Sequence, residues 1–140
     1  MSNSPQYELN STATKEKNNL ALEKISSRQL ADEIAEAADD KKASDIVLLK
    51  VSHVSYLADY FVIATGFSTT QVKAICDSIE QKIEDQHNLL PLRIQGKTDG
   101  RWIVVDYGDV IAHIFMQEER EYYNLEAFWG HAERIEFAAN

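Results

Sequence analysis

Apolar residues recur at helical spacing in three segments of the chain, and polar residues typical of helix caps border each of them. The first predicted helix follows Ser26 and Ser27 and runs to about residue 38. The second begins after residues 68–70 and ends near residue 88, with an apolar stripe of Val72, Ile75, Cys76, Ile79 and Ile83. The third covers residues 118–129, and Gly130 takes its C′ position. Its Tyr122, Leu125 and Trp129 share one stripe that we expect to pack on the sheet, whereas Tyr123 points elsewhere.

Five short runs rich in β-branched and aromatic residues predict strands at residues 46–51, 57–64, 92–97, 101–107 and 110–116. Turn residues separate the last three strands, at residues 98–100 and at Gly108-Asp109. The order α-β-β-α-β-β-β-α implies an α+β arrangement, with one mixed five-stranded sheet packed with helices. Residues 1–24 are polar and lack a period, so we predict a disordered N-terminal extension before a domain that spans residues 25–140.

The turn at Gly108-Asp109 sets the register of the last hairpin and therefore the side chains on each face of it. One face is almost wholly apolar and should lie beneath helices: Ile103, Val105, Tyr107, Val110, Ala112 and Ile114. The other, which we call the mixed face, carries Trp102, Val104, Asp106, Ile111, His113 and Phe115. A mixed face with a tryptophan is typical of a protein-binding patch. The alternative is that Trp102 and Phe115 pack beneath a helix, with Asp106 and His113 at the sheet rim.

The net charge of the chain is −9, from 14 Lys and Arg against 23 Asp and Glu. Because nucleic-acid affinity comes largely from cations that neutralise phosphates, direct binding to DNA or RNA is disfavoured and a basic protein partner is favoured. The 140 residues suffice for one domain with its own core. The lone Cys76 cannot form an internal disulfide, and neither a membrane-length apolar run nor a secretory signal occurs, so we expect a cytoplasmic protein without membrane contact.

The sequence supplies no convincing catalytic set, although two acidic residues invite comparison with metal-dependent enzymes. Asp106 and Asp109 could together hold Mg²⁺ for phosphoryl transfer, but Asp109 occupies a hairpin turn, where Asp is common for conformational reasons. The four histidines lack metal-ligand spacing, and Cys76 has no neighbouring ligand type at metal spacing. Residues 65–68 lack the glycines and the lysine of a phosphate-binding loop. We therefore expect neither a metal nor another cofactor, and a binding protein rather than an enzyme.

Three blocks of the sequence form a specific pattern in their order and spacing. The first is Asp59-Tyr60-Phe61-Val62-Ile63-Ala64-Thr65-Gly66, followed by Ser68, Gln71-Val72 and Ala74-Ile75. The second runs from Trp102 to Ile111 and continues through His113-Ile114-Phe115. The third comprises Arg120, Tyr122-Tyr123, Leu125-Glu126 and Trp129. Together these blocks resemble the ribosomal silencing factor family, also called the Iojap family, over roughly residues 26–130.

The resemblance implies a translational repressor that binds the large ribosomal subunit. Members of the family dock on a basic protein of the intersubunit face, the fourteenth large-subunit protein, and sterically keep the small subunit from joining when nutrients are short. The implied fold is an α/β sandwich related to the nucleotidyltransferases, and crystallised members are often homodimers. Catalytic nucleotidyltransferases carry Gly-Ser at a helix start and Asp-x-Asp on the next strand, whereas here Gly66 is followed by Phe67 and no Asp-x-Asp follows.

The second block of the resemblance coincides with the mixed face. We therefore predict partner-binding residues there and on the neighbouring strand: Asp59, Tyr60, Trp102, Asp106, Tyr107, Asp109 and His113. Trp102 would be the desolvated anchor, and Asp106 would pair with Lys or Arg of the partner. Two alternatives stay open. One is a diverged Mg²⁺-dependent nucleotidyltransferase that uses Asp106 and Asp109, and the other is a homodimeric module whose mixed face is self-complementary.

Overall fold

In the described residues, six strands form one mixed sheet and helices pack against both of its faces. The computed structural model describes residues 13–14 and 25–138. Its strands are β1 Ser44–Lys50, β2 Tyr60–Gly66, β3 Arg93–Gln95, β4 Trp102–Asp106, β5 Val110–Met116 and β6 Glu133–Glu136. Its helices are α1 Ser27–Asp40, α2 Thr69–His87, α3 Gln117–Tyr123 and α4 Leu125–Phe128. The predicted extension over residues 1–24 falls, except for residues 13–14, outside the described residues and stays a prediction.

The strand order across the sheet is β3-β4-β5-β2-β1-β6. β2 and β5 are parallel, whereas every other neighbouring pair is antiparallel. A parallel pair requires a long crossover, which here contains α2 and the β3–β4 hairpin. Because β2 and β5 run in the same direction, the loop before β2 and the turn before β5 lie at one end of the sheet. The segments that follow Gly66 and Met116 lie at the other end.

Helices α1 and α2 cover one face of the sheet and form the larger core with it. Each begins after a serine whose side chain accepts a backbone hydrogen bond, Ser26 from Gln29 and Ser68 from Gln71. α2 ends at Asn88, whose φ of +55° terminates helical geometry. These caps and the buried stripe of α2 confirm the sequence predictions. No helix within residues 25–138 combines the length and the apolar character that crossing a membrane requires.

The β4–β5 hairpin has the predicted register. The backbone N–H of Tyr107 donates to the carbonyl of Val110 over 2.9 Å, and Asp106 lies opposite Ile111. Gly108 has a φ of +90°, which favours glycine at the first central position of the turn. Alternation along the two strands then places the predicted apolar set against α1 and α2, with each member at most 1% exposed: Ile103, Val105, Tyr107, Val110, Ala112 and Ile114.

Two predictions about the C-terminal part of the fold are wrong. The sheet has six strands rather than five, because β6 pairs with β1 at the sheet edge. Its sequence, Glu-Arg-Ile-Glu, is too short and too charged to show a strand pattern, as is typical of edge strands. The single helix predicted over residues 118–129 is divided into α3 and α4, because Asn124 between them adopts a φ of +46°. The observed order is α-β-β-α-β-β-β-α-α-β, and the relation to nucleotidyltransferases stays a prediction.

Candidate partner-binding site

The mixed face lies opposite α1 and α2, and the segment after α3 covers its centre. This segment, residues 124–132, is called the cap below. A second, smaller core on the mixed face includes Phe61 and Phe115, and three cap residues pack on it: Leu125, Trp129 and Ala132. The alternative interpretation, in which aromatic residues of this face pack beneath a helix, therefore holds for Phe115, which is 1% exposed. Trp102, in contrast, is only half-buried.

Trp102 is held in one orientation by three neighbours. Its indole Nε1–H donates to Nδ1 of His113 over 3.2 Å. Its ring stacks on Phe115 with centroids 4.9 Å apart and contacts Tyr123 with centroids 4.6 Å apart. Buried indole N–H groups normally have a hydrogen-bond partner, and here the imidazole provides it. The side chain is thus ordered before any partner arrives.

His113 is buried in the middle of the sheet rather than placed at its rim, because β5 lies between β4 and β2. Burial lowers the pKa of the imidazole to about 4, so the ring is neutral near pH 7. Since Nδ1 accepts the indole hydrogen bond, the proton of the neutral ring is on Nε2. Nε2 has no hydrogen-bond partner in the part of the chain that the structure describes, and the ring meets Phe61 edge-on at 5.0 Å. His113 therefore orients Trp102 as a fixed acceptor.

Helix α3 carries two tyrosines and three glutamates, and one of the tyrosines, Tyr123, contacts Trp102. An open cleft of about 500 Å³ is lined by Glu118, Glu119, Glu121, Tyr122 and Tyr123. Tyr122 is 81% exposed and Tyr123 49%, and their rings meet edge-on at 5.0 Å. Trp102 and these five residues are called the aromatic–acidic surface below. Exposed aromatic rings beside carboxylates suit a partner that presents Lys or Arg.

Tyr122 departs from the sequence prediction, which placed it with Leu125 and Trp129 on one buried stripe of a single helix. Asn124, in the left-handed conformation, interrupts that helix. Tyr122 therefore points to solvent, while Leu125 and Trp129 pack on the second core. The composition of α3 is a local sign of its exposure: Gln117–Tyr123 is acidic and aromatic, and Arg120 is its one buried residue.

Arg120 attaches α3 and the cap to the sheet. Its buried guanidinium donates through Nη1 to the carbonyl of Asp45 over 2.6 Å and to Oγ1 of Thr65 over 2.7 Å. Nε donates to Glu126 over 2.9 Å, and Glu126 also pairs with Arg134. Burial acts to raise the pKa of Glu126, but hydrogen bonds and charge from the two arginines outweigh it and lower that pKa. The position of the exposed tyrosines thus depends on a buried ion-pair hub.

The loop between β1 and β2 exposes three apolar side chains. β2 begins three residues later than predicted, so Leu57 lies in this loop and is 70% exposed, next to the fully exposed Tyr56 and to exposed Val54. The N–H of Asp59 donates to the carbonyl of Asp109 over 2.7 Å, which joins the loop to the β4–β5 turn. Burial and the charge of Asp59 raise the pKa of the Asp109 carboxyl. These five residues are called the loop surface below.

The structure divides the seven predicted contact residues among separate places. Trp102 and His113 lie at the aromatic–acidic surface, and Asp59 and Asp109 belong to the loop surface. Tyr60 and Tyr107 face α1 and α2 and are buried, Tyr107 to 1% exposure. The Tyr107 hydroxyl has no hydrogen-bond partner among the described residues, and burial raises its pKa.

Asp106 lies at the end of β4 and has partners within the chain. Nε of Arg93 donates to one of its carboxylate oxygens over 3.3 Å, and the N–H of Gly108 donates to the other over 2.8 Å. The second hydrogen bond is an Asx-type contact that stabilises the turn. A Mg²⁺ ion shared by Asp106 and Asp109 would have to displace Arg93, which weighs against the phosphoryl-transfer alternative.

Cys76, Asp77 and Glu80 bring a thiol and two carboxylates within 4.8 Å of one another on α2. The spacing in sequence did not suggest this group, but Glu80 lies one turn along the helix, with its Oε2 3.6 Å from the sulfur. Nζ of Lys97 lies 2.9 Å from Asp77 and 3.2 Å from Glu80. Burial raises the pKa of the thiol to about 12, so it stays protonated. Lys97 thus already supplies the positive charge that these carboxylates attract.

Most basic side chains in the described part of the chain are paired internally. Seven of them contact a carboxylate: Arg28, Lys82, Arg93, Lys97, Arg101, Arg120 and Arg134. Asp59, Asp109 and Glu121 form no ion pair within residues 25–138. Three of the carboxylates that form no ion pair within the described residues thus lie on the two surfaces defined above.

Known proteins match this chain in both sequence and fold. A family model described as ribosomal silencing factor during starvation matches residues 24–140. Ribosomal silencing factor RsfS of Bacillus subtilis is 44% identical over 98 residues, which cover 70% of this chain and 82% of that protein. RsfS of Halalkalibacterium halodurans is 38% identical over 112 residues, which cover 80% of this chain and 95% of that protein. A crystal structure of a Chromobacterium violaceum protein superposes with a TM-score of 0.74 at 32% identity, over 83% of this chain and 95% of that one.

The shared fold defines a class of small α+β proteins built on one mixed sheet, and the relatives in it are named as silencing factors rather than as enzymes. The chain belongs to the ribosomal silencing factor family, which also includes proteins named Iojap. The resemblance on which the sequence analysis relied is thereby confirmed. The family is named for a silencing role on the ribosome.

Proposed function

We propose that this protein represses translation by binding the large ribosomal subunit and sterically blocking the small subunit. Its partner there is a basic protein of the intersubunit face, the fourteenth large-subunit protein. The observation that carries the proposal is the aromatic–acidic surface, where exposed rings and glutamates lie beside a tryptophan held in one orientation. This role requires no catalysis, no cofactor and no direct contact with nucleic acid, and its location is the cytoplasm.

Trp102 supplies the anchor of the proposed interface. Because His113, Phe115 and Tyr123 already order its indole, binding sacrifices little side-chain entropy. Tryptophan and tyrosine at the centre of an interface commonly account for about 2 kcal/mol or more each when truncated. We therefore expect Trp102 and Tyr122 to dominate the affinity.

Two glutamates supply the electrostatic part of the interface. Glu121 accepts a hydrogen bond from Gln117 over 2.6 Å but forms no ion pair in the described part of the chain, and the exposed Glu118 meets Arg101 only at 3.6 Å. A Lys or Arg side chain that enters the cleft finds these carboxylates and the face of Tyr122 together. An exposed cation–π contact contributes about 0.5–1 kcal/mol, and the acidic rim speeds the encounter with a basic partner.

The other predicted residues take different parts in this proposal. His113 positions Trp102, and Asp106 holds Arg93 at the open edge of the mixed face. Asp59 and Asp109 act through the loop surface, which is argued separately below. Tyr60 and Tyr107 contribute through the core, because a partner does not reach them in this conformation.

The test is co-sedimentation of the purified protein with isolated large subunits, followed by addition of small subunits. We expect Trp102→Ala and Glu121→Lys each to weaken binding by about tenfold or more and to restore subunit joining. Glu84→Lys is the matched charge control, because Glu84 is an exposed residue of α2 on the opposite side of the sheet. If both surface variants stay folded and bind as tightly as the unmutated protein, the proposed interface is wrong.

The same preparation tests the remaining alternatives. A Mg²⁺-dependent thermal shift with millimolar ATP, CTP or GTP would support the nucleotidyltransferase interpretation. Sedimentation equilibrium of the free protein tests the homodimer, which predicts that Trp102→Ala changes the mass of the particle. If the silencing proposal is right, we expect no thermal shift when a nucleotide is added. A dimer is compatible with the proposal only if it dissociates on large subunits or leaves the aromatic–acidic surface open.

A further inference from the structure

We propose that the loop surface is a second docking site, and that its occupant is a lysine- or arginine-bearing protein segment of the large ribosomal subunit. This inference rests on the proposed function for the identity of the partner. The position and the chemistry of the site come from the structure. Val54, Tyr56 and Leu57 are exposed at the loop tip, and Asp59 and Asp109 lie at the base of the loop.

The loop holds its apolar side chains outward on a defined backbone. The N–H groups of Val54 and Ser55 both donate to the carbonyl of Val51, over 3.0 and 2.8 Å, and the N–H of Leu57 donates to Oγ of Ser55 over 2.9 Å. At the base, the N–H of Val51 donates to the carbonyl of Asp59 over 2.9 Å. The exposure of Tyr56 and Leu57 therefore follows from ordered turns. Clustered, exposed apolar side chains on such a backbone are typical of an interaction site.

The base of the loop carries two carboxylates that form no ion pair within residues 25–138. Asp59 and Asp109 are close enough that the charge of Asp59 raises the pKa of Asp109. Lys50 and His53 lie nearby in sequence, but neither forms an ion pair with them, and Arg93 is already bound to Asp106. A cation placed between the two carboxylates would relieve their repulsion, since opposite charges within about 4–6 Å favour the ionised forms. The site is thus complementary to Lys or Arg.

The position of the loop allows one partner to contact both surfaces. Val51 and Ala58, at the base of the loop, pack in the second core, so the loop emerges on the side of the mixed face. β5 begins beside the loop surface and ends beside α3, and its seven residues span about 20 Å. Two contacts separated by this distance would fix the orientation of the protein on the subunit, which a steric block requires.

The experiment measures affinity for isolated large subunits with two loop variants. We expect Asp59→Asn with Asp109→Asn, and separately Leu57→Ser, to weaken binding by about tenfold each. The carboxylate variant should also flatten the salt dependence, because it removes two negative charges from the contact. The matched control is Glu84→Gln with Asp85→Asn, an equal change of charge on the exposed side of α2. Circular dichroism confirms that each variant is folded.

The outcomes separate the two proposals. If Trp102→Ala weakens binding and the loop variants bind like the unmutated protein, the proposed function stands and the second docking site is overturned. The site is also overturned if Leu57→Ser alters the mass of the free protein in sedimentation equilibrium without altering affinity, because the loop is then a contact between copies.

If the unmutated protein does not bind large subunits at all, the proposed function is overturned. A second experiment then tests the loop surface separately. Hexa-arginine is titrated into the ¹⁵N-labelled protein, with the amide signals as readout. We expect the signals of Leu57 and Asp109 to move, and Asp59→Asn with Asp109→Asn to abolish the movement. In that event, unmoved signals at the loop overturn the loop proposal as well.

Discussion

Replacing Arg120 with Met tests whether the buried hub positions α3 and the cap. Methionine keeps much of the aliphatic volume but removes every donor. The carbonyl of Asp45 and Oγ1 of Thr65 then lose a buried partner, at about 1 kcal/mol each. Glu126 keeps its ion pair with Arg134 and is one-fifth exposed. Losing its ion pair with Arg120 therefore also costs about 1 kcal/mol, rather than the 3–5 kcal/mol typical of a fully buried pair. We expect the free energy of unfolding to fall by about 3 kcal/mol.

The assay is urea unfolding followed by tryptophan fluorescence, where a loss of this size moves the midpoint by roughly 1–2 M. Arg28→Met is the matched control, because Arg28 is half-exposed and pairs with Asp32 one turn along α1. Such exposed pairs contribute about 0.3–0.5 kcal/mol. A loss below about 1 kcal/mol for Arg120→Met, or one no larger than that of the control, would refute the role assigned to the hub.

Three further predictions concern single side chains. Gly96→Ala should destabilise the protein by about 2 kcal/mol in the same urea assay, since Gly96 has a φ of +85° and an added Cβ would lie 2.0 Å from the carbonyl oxygen of Trp102. The folded pKa of His113 is about 4 against 6.5 for the free side chain, so the unfolded state binds more protons between these values and stability falls as the pH drops through them. Between pH 7 and pH 4.5 this group should account for about 2 kcal/mol, a slope that His113→Asn should remove from urea midpoints. Cys76 should react with a thiol reagent only on unfolding, because it is fully buried and its pKa is raised to about 12; labelling in native buffer would contradict this.

The fold could be predicted where local chemistry and packing agree. Ser26 and Ser68 are strong N-caps, and the residues after each have the helical period that α1 and α2 show. Gly108 begins a turn that few other residues adopt, and a turn sets the register of the strands on either side. Because the register assigns every side chain of β4 and β5 to a face, the sequence suffices to list the residues of the mixed face.

The segment after β5 could not be predicted, because tertiary contacts decide it. Tyr122, Leu125 and Trp129 have perfect helical spacing, but Asn124 leaves the helix so that the cap can fold onto Phe61 and Phe115. The partner that stabilises this turn is Arg120, whose contacts lie 55 and 75 residues earlier in the chain. No local pattern reports contacts at such separation. The exposure of Tyr122 was missed because the predicted single helix buried it, whereas Tyr123 was expected to lie off the buried face.

The assignment of Asp106 shows how the placement of cations decides which carboxylates can serve a partner. From spacing alone, Asp106 and Asp109 are equivalent acidic residues three positions apart. In the fold, Arg93 neutralises the first, while the second faces Asp59 and has no cation. The same contrast separates Glu119, which binds Arg101, from Glu121, which does not.

At the two surfaces, an exposed ring or apolar side chain lies next to a carboxylate that forms no ion pair within residues 25–138: Tyr122 beside Glu121, and Leu57 beside Asp59. The two places are about 20 Å apart, more than twice the screening length near 8 Å at physiological salt, so their contributions to affinity should be nearly independent. Combining Trp102→Ala with Asp59→Asn should therefore multiply the two losses in affinity. A combined loss no greater than the larger single loss would show instead that the two surfaces engage the same group of the partner.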